Sequence, residues 1–193
     1  MKPGIMTREE NGAVQLKHGI EGKCTMETDL KSERILLRKW QESDAPALFS
    51  LAKDPLVGEL AGFPPHQDEA ESLRVIREIF CKPETYAIVS AADGTLLGCV
   101  NLLAGRKGEN VKATEEVYIG YWLGRPYWGR GLMVEAVRLL CSHCFDPDEN
   151  FSCVVIAGYA QDGNVRSRRV LEKSGFALVE TKDGVCRYEL PHM

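Results

Sequence analysis

Residues 115–145 constrain the fold most, because they combine a strand, a glycine-bearing turn and a long helix in one run. The strand is predicted over 117–123, and the turn over 124–131 has the sequence Gly-Arg-Pro-Tyr-Trp-Gly-Arg-Gly. The helix is predicted from apolar residues at the 3.6-residue spacing of one buried face: Met133, Ala136, Val137, Leu140, Cys141 and Cys144. Such a corner exposes the first backbone N–H groups of the helix, which have no intrahelical acceptor.

The turn has the features of a phosphate-binding site. Gly129 and Gly131 tolerate positive φ, and they let oxygen atoms approach the main chain without meeting a Cβ atom. The helix dipole adds partial positive charge, and Arg125 and Arg130 can add charge-assisted hydrogen bonds. We therefore predict a phosphate-binding turn, with a corner that binds no ligand as the alternative.

Two common phosphate motifs do not fit these residues. A P-loop requires Lys-Ser/Thr after its second glycine, whereas Gly129 is followed by Arg130 and Gly131. A dinucleotide fingerprint requires a third glycine where Val134 stands.

The turn resembles the acetyl-CoA loop of the GNAT N-acetyltransferases, Gln/Arg-x-x-Gly-x-Gly/Ala. Residues 126–131 match both glycines and differ at the first position, where Pro126 stands beside Arg125. The longer run 120–136 and the opening Glu-Arg-x-x-Leu-Arg at 33–38 resemble the RimJ/RimL branch. The resemblance implies transfer of an acetyl group from acetyl-CoA, as co-substrate, to a primary amine without a metal.

Composition and charge agree with one globular domain. The chain has 193 residues, 44% of them hydrophobic and 27% charged, which is enough for a full core. A net charge of −4 argues against a surface that binds nucleic acid. No apolar run approaches the roughly 20 residues of a membrane span, and the first ten residues lack the apolar core of a signal peptide.

The seven cysteines are odd in number and scattered among apolar positions, which favours buried thiols in a reducing cytoplasm. The pair Cys141 and Cys144 has the spacing of half a zinc site. It lies within the predicted helical face, however, and no second pair completes four ligands.

We predict an N-terminal extension over 1–33 and an acetyltransferase domain over 34–193. Strands are predicted at 34–40, 86–90, 95–103, 117–123, 152–160, 176–181 and 186–190. Helices are predicted at 45–52, capped by Ser43 and Asp44, at 67–80 and at 164–174, besides the central one. Residues 54–66 and 105–113 are predicted to be loops. This order is that of the GNAT fold, which is mixed α/β with about seven mostly antiparallel strands, splayed central strands and flanking helices.

By resemblance, the first amides of the helix bind the pyrophosphate and the edge of the central strand binds the pantetheine arm. The predicted cofactor-binding residues are Trp122, Leu123, Arg125, Trp128, Gly129, Arg130, Gly131, Leu132, Met133, Val134 and Asn164. Asn164 is equally well explained as a helix N-cap, and the two roles are compatible. The basic residues Arg166, Arg168, Arg169 and Lys173 are candidates for the adenosine 3′-phosphate or for a solvated helix face.

Two catalytic residues are predicted. Many GNAT enzymes place a tyrosine acid where Leu171 stands, so Ser167, which matches a RimJ/RimL serine, is expected to stabilise the departing thiolate. Its alternative is a cap of its own helix. The family glutamate is replaced by Tyr118, so Glu116, two residues away on the same strand face, is the candidate base or simply a solvated carboxylate. Glu135 is expected to orient loop groups.

Phe63, His66 and Tyr118 are the predicted acceptor-binding residues, with packing of the loop as the alternative for the first two. Without the family glutamate, an acceptor of low pKa is favoured, because about 10% of an α-amine is neutral at pH 7 against well under 0.1% of a lysine amine. We therefore expect direct transfer to a protein N-terminus, since no cysteine has a nucleophile's setting. The alternatives are a small amine (aminoglycoside, polyamine or amino sugar) and a CoA-binding regulatory module without turnover. The sequence leaves a homodimer open.

Overall fold

The computed structural model describes residues 29–105 and 110–192. Its eight strands form one sheet in the order β1-β2-β3-β4-β5-β6-β8-β7. The strands are β1 Leu30–Lys31, β2 Ile35–Lys39, β3 Thr85–Ser90, β4 Leu96–Ala104, β5 Glu116–Leu123, β6 Val155–Gln161, β7 Ala177–Lys182 and β8 Val185–Pro191. The helices are α1 Ala45–Ala52, α2 Pro55–Ala61, α3 Glu69–Val75, α4 Leu132–Cys144 and α5 Val165–Lys173. The mixed, mostly antiparallel sheet predicted from the sequence is confirmed, with one strand more than expected.

Helix α2 contradicts the loop predicted over 54–66. The Asp54 carboxylate accepts the Leu56 N–H at 3.1 Å, Pro55 occupies the first helical position, and Gly62 ends the helix at φ 79°. These are ordinary start and stop signals of a helix. Gly58 lies within this helix. A Cβ atom at this position would approach the Phe63 carbonyl oxygen to 2.5 Å, so the glycine is required by close packing and does not indicate a loop.

The smaller differences lie at the ends of elements. The predicted helix over 67–80 is α3 followed by a π-helical turn, Ile76–Phe80. Strand β1 falls within the predicted extension and pairs with β2 through Leu30 and Leu37. The predictions for residues 1–28 and 106–109 lie outside the described residues, and the division of the chain at residue 33 stays a prediction.

Helices cover the two faces of the sheet with separate cores. Helices α4 and α5 pack on one face, where Leu140, Ile156 and Leu171 are fully buried. Helices α1 and α3 cover β3 and β4 on the other face, around Leu48 and Ala87. Each fully buried large aliphatic side chain contributes about 1.5–3 kcal/mol to folding. Both cores therefore anchor the central strand β5 between them.

Strands β5 and β6 separate halfway along their length. They form a parallel pair from Glu116 opposite Val155 to Ile119 opposite Gly158, whereas β5 continues to Leu123 in its antiparallel pairing with β4. Gly158 lies against α5, and a Cβ atom there would approach Leu171 Cδ2 to 2.6 Å. The last residues of β5 therefore have one edge that faces a notch instead of β6. The expected splay of the central strands is confirmed.

No helix in the described ranges is long and apolar enough to cross a membrane.

Candidate functional site

The turn between β5 and α4 has the backbone geometry that its glycines predict. Gly129 has φ 75° and Gly131 has φ 78°, a region that residues with a Cβ atom adopt only with strain. A Cβ atom built on Gly129 meets no atom within 4 Å, and one on Gly131 meets only Arg34 Nη2 at 3.7 Å. Because space is available at both positions, their backbone conformation is what requires glycine.

Six consecutive backbone N–H groups, from Gly129 through Val134, donate to no acceptor in the described part of the chain. Hydrogen bonding resumes at Glu135, whose N–H donates to the Gly131 carbonyl at 3.2 Å. Helix α4 also begins without a side-chain cap, because its N-cap residue is Gly131. We call these six groups the amide cradle. Together with the helix dipole they form a site for an anion.

The amide cradle opens onto a cavity of about 420 Å³ between β5, α4 and α5. Most of the predicted cofactor residues, and Ser167, line it: Trp122, Leu123, Trp128, Gly129, Gly131, Leu132, Met133, Val134, Asn164 and Ser167. Helix α2 contributes Val57, Leu60 and Ala61 to the same wall. The sequence-predicted site is therefore assembled in one place, and α2, which sequence reasoning missed, forms part of it.

Arg125 and Arg130 do not line this cavity. Arg125 Nε binds the Asp54 carboxylate at 2.8 Å, which ties the turn to the start of α2. The Arg130 guanidinium lies 5.9 Å from the Tyr127 ring centroid. The expectation that these two arginines add charge to the amide cradle is therefore not met by the cavity's geometry.

Helix α5 supplies the positive charge instead. Arg166, Arg169 and Lys173 line the cavity, and the Arg166 guanidinium lies 5.3 Å from the Trp128 ring centroid. Arg168, from the same predicted group, turns away to bind Asp162 and donates from Nε to the Tyr188 hydroxyl at 3.1 Å. Three of the four predicted basic residues are thus at the site.

The notch edge of β5 belongs to Tyr121 and Leu123. The Gly124 N–H donates to the Leu97 carbonyl of β4 at 2.9 Å. Because the backbone groups of successive residues in a strand point to opposite edges, the N–H and C=O of Trp122 also face β4, whereas those of Tyr121 and Leu123 face the notch. Trp122 therefore offers its side chain, not the strand-edge groups that were predicted. The Leu123 carbonyl accepts the Trp128 indole N–H at 2.7 Å, which fixes the turn.

Tyr121 is a site residue that sequence reasoning missed. Its hydroxyl lies 2.9 Å from Ser167 Oγ and 3.2 Å from the Ser167 carbonyl oxygen, and its side chain lines the cavity. Burial raises the pKa of Tyr121 to about 12, with a smaller opposing effect of the hydrogen bond to Ser167, so the phenol stays protonated at neutral pH. The alternation of β5 was the available signal, because it places Tyr121 on the face that α5 covers.

Asn164 acts as the N-cap of α5. Its Oδ1 accepts the Ser167 N–H at 3.1 Å, which satisfies one of the free donors of that helix. Its Nδ2 donates no hydrogen bond within the described ranges, so the amide can still reach a ligand in the cavity that it lines. Leu171, which stands where the resemblance places the tyrosine acid of many GNAT enzymes, is fully buried in the core.

Glu116 is held in a hydrogen-bonded ion pair away from the cavity. One carboxylate oxygen binds the Arg187 guanidinium, and the other accepts the Tyr118 hydroxyl at 3.0 Å. Burial, and then the hydrogen bond to this carboxylate, raise the pKa of Tyr118. The Tyr118 ring stacks on Tyr159, with ring centroids 5.8 Å apart. Both carboxylate oxygens of Glu116 are therefore already engaged within the sheet.

The two predicted acceptor residues of the α2–α3 connection differ in their surroundings. Phe63 packs edge-on against Trp122, with ring centroids 5.6 Å apart, and so touches the cavity wall from outside. His66 is buried, and its Nδ1 lies 2.8 Å from Ser72 Oγ. Burial lowers the pKa of His66. The structure therefore supports the packing alternative for His66, whereas Phe63 keeps a place near the site.

Cys141 and Cys144 are buried in α4, as the helical face predicts. Burial raises the pKa of the Cys141 thiol, which makes it a poor nucleophile. No group of three or more His, Cys, Asp or Glu side chains suited to a metal ion occurs among the described residues.

A family model described as Acetyltransferase (GNAT) domain matches residues 34–177. The chain belongs to the GNAT acetyltransferase family. Among curated relatives, the probable N-acetyltransferase YjcK of Bacillus subtilis (strain 168) is 34% identical over 102 residues, which cover 53% of this chain and 50% of YjcK. The chain thus spans about half the length of that relative.

Two solved GNAT structures share the fold and were determined in complex with coenzyme A. RimL, a ribosomal L7/L12 alpha-N-protein acetyltransferase, superimposes with a TM-score of 0.67 at 19% identity, covering 85% of this chain and 98% of RimL. The aminoglycoside acetyltransferase AAC(6′)-Ib superimposes with a TM-score of 0.61 at 20% identity, covering 81% of this chain and 94% of that enzyme. At these identities the likeness establishes the common fold.

Proposed function

We propose that this GNAT protein is an acetyl-CoA-dependent N-acetyltransferase that acts on a primary amine, with a protein N-terminal α-amine favoured, by direct transfer in a ternary complex. The observation that carries the proposal is the amide cradle, a run of six free donors of which all but the Arg130 N–H belong to residues that line the cavity beside the notch of β5. Such an array suits a diphosphate, and the adjoining notch suits an extended amide-bearing chain. Coenzyme A combines these two parts.

Donor binding follows from charge and shape. The diphosphate accepts hydrogen bonds from the amide cradle, and Arg166, Arg169 and Lys173 on α5 balance its negative charge. The pantetheine amides pair with the notch-facing backbone of β5, as an added strand would, at Tyr121 and Leu123. Trp122 and the α2 side chains close the apolar wall.

Acetyl transfer requires the lone pair of a neutral amine to attack the thioester carbonyl carbon, after which the C–S bond breaks and the thiolate leaves. The amine nitrogen releases one proton to water, and the thiolate takes up one proton to become the thiol of coenzyme A. Tyr121 can donate its proton to Ser167 Oγ at 2.9 Å, which leaves the Ser167 O–H to donate to the departing sulfur. Because Tyr121 remains protonated, this orientation of the Ser167 hydroxyl is available at any physiological pH. We therefore assign Ser167 to leaving-group stabilisation and Tyr121 to its positioning.

The acceptor is inferred from what the site lacks. Glu116 is engaged by Arg187 and Tyr118, and no carboxylate side chain of the described residues lines the cavity. An amine that is already partly neutral at pH 7 needs no carboxylate base, and an α-amine meets this condition far better than lysine. RimL acts on a protein α-amine, which supports the same choice, whereas AAC(6′)-Ib makes small amines the second class to test.

The test is thiol release from acetyl-CoA against a panel of peptides with free α-amines, α-blocked lysine peptides, polyamines and aminoglycosides. We expect turnover with α-amine peptides and mass-spectrometric addition of one acetyl group at the N-terminus. Preferential turnover of small amines would replace the acceptor assignment. Tight binding of CoA without turnover of any amine would instead indicate a regulatory module.

A further inference from the structure

Arg34, just before β2, connects the N-terminal part of the domain to the amide cradle. Its Nη1 donates to the Arg130 carbonyl oxygen at 3.0 Å, and its Nε donates to Glu135 Oε2 at 2.8 Å. The Ser32 hydroxyl donates to the other oxygen of Glu135. The guanidinium is thus fixed on one side by a carboxylate and bound on the other side to the loop that carries the cradle.

The Arg130 carbonyl controls the direction of one cradle amide. The Arg130 C=O and the Gly131 N–H belong to one planar trans peptide and therefore point in opposite directions. The guanidinium lies on the outer side, with Nη2 3.7 Å from a Cβ atom built on Gly131. Because Arg34 holds the Arg130 C=O from outside the cavity, the Gly131 N–H on the same peptide is directed toward the cavity that Gly131 lines.

This loop needs an external anchor. Arg130 stands between two glycines in the left-handed region, Gly129 and Gly131, and glycine lets the intervening peptide planes rotate at low cost. Helix α4 has no side-chain cap to hold its first turn. Glu135, in that first turn, has its two oxygens engaged by Ser32 and Arg34, so it buttresses the guanidinium instead of capping the free amides.

We propose that Arg34 is a positioning residue for diphosphate binding, because it anchors the Arg130 carbonyl outside the loop and so directs the Gly131 N–H into the cavity. The inference rests on the proposed function, since the diphosphate is that of acetyl-CoA. Half of the Arg34 side chain is exposed, 50%, and ion pairs this exposed contribute little to folding stability. The effect of removing Arg34 should therefore appear in ligand binding rather than in folding.

The experiment is calorimetric titration of coenzyme A into wild type and variants of the full chain. Arg34→Ala should weaken binding roughly tenfold, the value of one charge-assisted hydrogen bond. Arg34→Lys should give an intermediate affinity, since an ammonium cannot form the same fork. Arg77→Ala is the control, because Arg77 is about as exposed as Arg34 and makes a bidentate pair with Glu42, at 2.9 and 2.6 Å, that is not part of the site. It should bind like wild type.

Kinetics separate positioning from general damage. In Arg34→Ala the KM for acetyl-CoA should rise while kcat at saturation stays within about twofold. S-acetylpantetheine, which lacks the diphosphate, should be used equally well by the variant and by wild type. Equal coenzyme A affinity in the two proteins, or an equal loss with both donors, would overturn the proposal.

A second substitution separates geometry from charge. Arg34 also neutralises Glu135, so Arg34→Ala combined with Glu135→Ala removes the unpaired carboxylate as well. The proposal expects this double variant to bind coenzyme A as weakly as Arg34→Ala, whereas a return to wild-type affinity would reduce Arg34 to a counter-ion and overturn the anchor. The two proposals can fail separately. If the wild-type protein turns over no amine but Arg34→Ala still weakens the binding of coenzyme A, the proposed transferase activity is wrong and this inference stands.

Discussion

The hydroxyls of Tyr121 and Ser167 lie 2.9 Å apart and join the notch edge of β5 to the first turn of α5. The pair crosses the place where the two halves of the sheet separate, so it sits where the reacting end of a pantetheine arm would emerge from the notch. Burial raises the pKa of Tyr121 to about 12, so the phenol is protonated at neutral pH and can donate to Ser167 Oγ or to the Ser167 carbonyl oxygen. When it donates to Oγ, the Ser167 hydroxyl proton is left to point at a ligand in the cavity that both side chains line.

Removal of the Ser167 hydroxyl should lower kcat while leaving donor binding intact. We expect Ser167→Ala to reduce kcat roughly ten- to hundredfold, because the departing thiolate loses its hydrogen bond, and Tyr121→Phe to cause a smaller loss. The KM for acetyl-CoA should stay within about twofold. Steady-state kinetics with saturating acceptor would measure both.

Ser174→Ala is the matched control for this prediction. Ser174 ends the same helix, and its buried Oγ has no hydrogen-bond partner among the described residues, so its removal should leave kcat unchanged. A kcat in Ser167→Ala equal to that of Ser174→Ala would assign Ser167 to helix capping alone.

Gly131→Val should abolish tight binding of coenzyme A. A branched residue at φ 78° is strained and shifts the cradle amides, so we expect the dissociation constant to rise roughly tenfold or more. Gly94→Val is the control, because Gly94 has φ 74° and equally open space at the β3–β4 turn. Without ligand, the melting temperatures of the two variants should fall by similar amounts. Only Gly131→Val should lose the increase in melting temperature that coenzyme A causes, and an unchanged increase in Gly131→Val would exclude the cradle as the diphosphate site.

Much of this site could be predicted because its signals are local. The buried face of α4 and the positive φ of Gly129 and Gly131 follow from residue spacing and from glycine's backbone freedom. The pairing partner of Arg125 could not be predicted, since Asp54 is distant in sequence and its ion pair depends on how α2 packs.

Two other misses have equally physical causes. Helix α2 is short, and Gly58 broke its helical pattern although that glycine serves contact with the Phe63 carbonyl. Alternation along β5 gives the face on which Tyr121 lies, but its contact with Ser167, 46 residues later in the chain, depends on how α5 packs on that face. The chemistry of the cradle was therefore accessible from sequence, whereas the hydroxyl pair required the assembled sheet.

The pH dependence should follow the acceptor rather than Glu116. For an α-amine peptide, kcat/KM should rise about tenfold per pH unit below pH 8 and then level off, because the neutral fraction of the amine grows with pH. Glu116→Gln should cost less than about threefold, since its carboxylate is paired with Arg187. The exposed neighbour Glu115 provides the control as Glu115→Gln. A loss of about hundredfold confined to Glu116→Gln, with the rising limb removed, would restore Glu116 as the base.

Glu84 should make the fold sensitive to acid. Its carboxylate is buried, 4% exposed, and it accepts the Tyr86 hydroxyl at 2.9 Å and faces His143 Nε2 at 3.2 Å and Lys112 Nζ at 3.8 Å. Burial alone would raise the pKa of Glu84. Its pKa is nevertheless lowered, by the hydrogen bonds with His143 and Tyr86 and by the charges of His143 and Lys112. A folded pKa below the unfolded value means that this carboxylate stabilises the protein above about pH 4.3 and loses that contribution as pH falls further.

Glu84→Gln should therefore be most destabilising at neutral pH, by roughly 2–4 kcal/mol, because it leaves buried donors facing a neutral amide. The difference between the two unfolding free energies should shrink as the pH falls below about 4, where the wild-type carboxyl also becomes neutral. Urea unfolding at several pH values would measure it. Glu59→Gln, at an exposed position without an ion pair among the described residues, should give a small and constant difference. A Glu84→Gln difference that does not change with pH would mean that the residue contributes through packing and not through its charge.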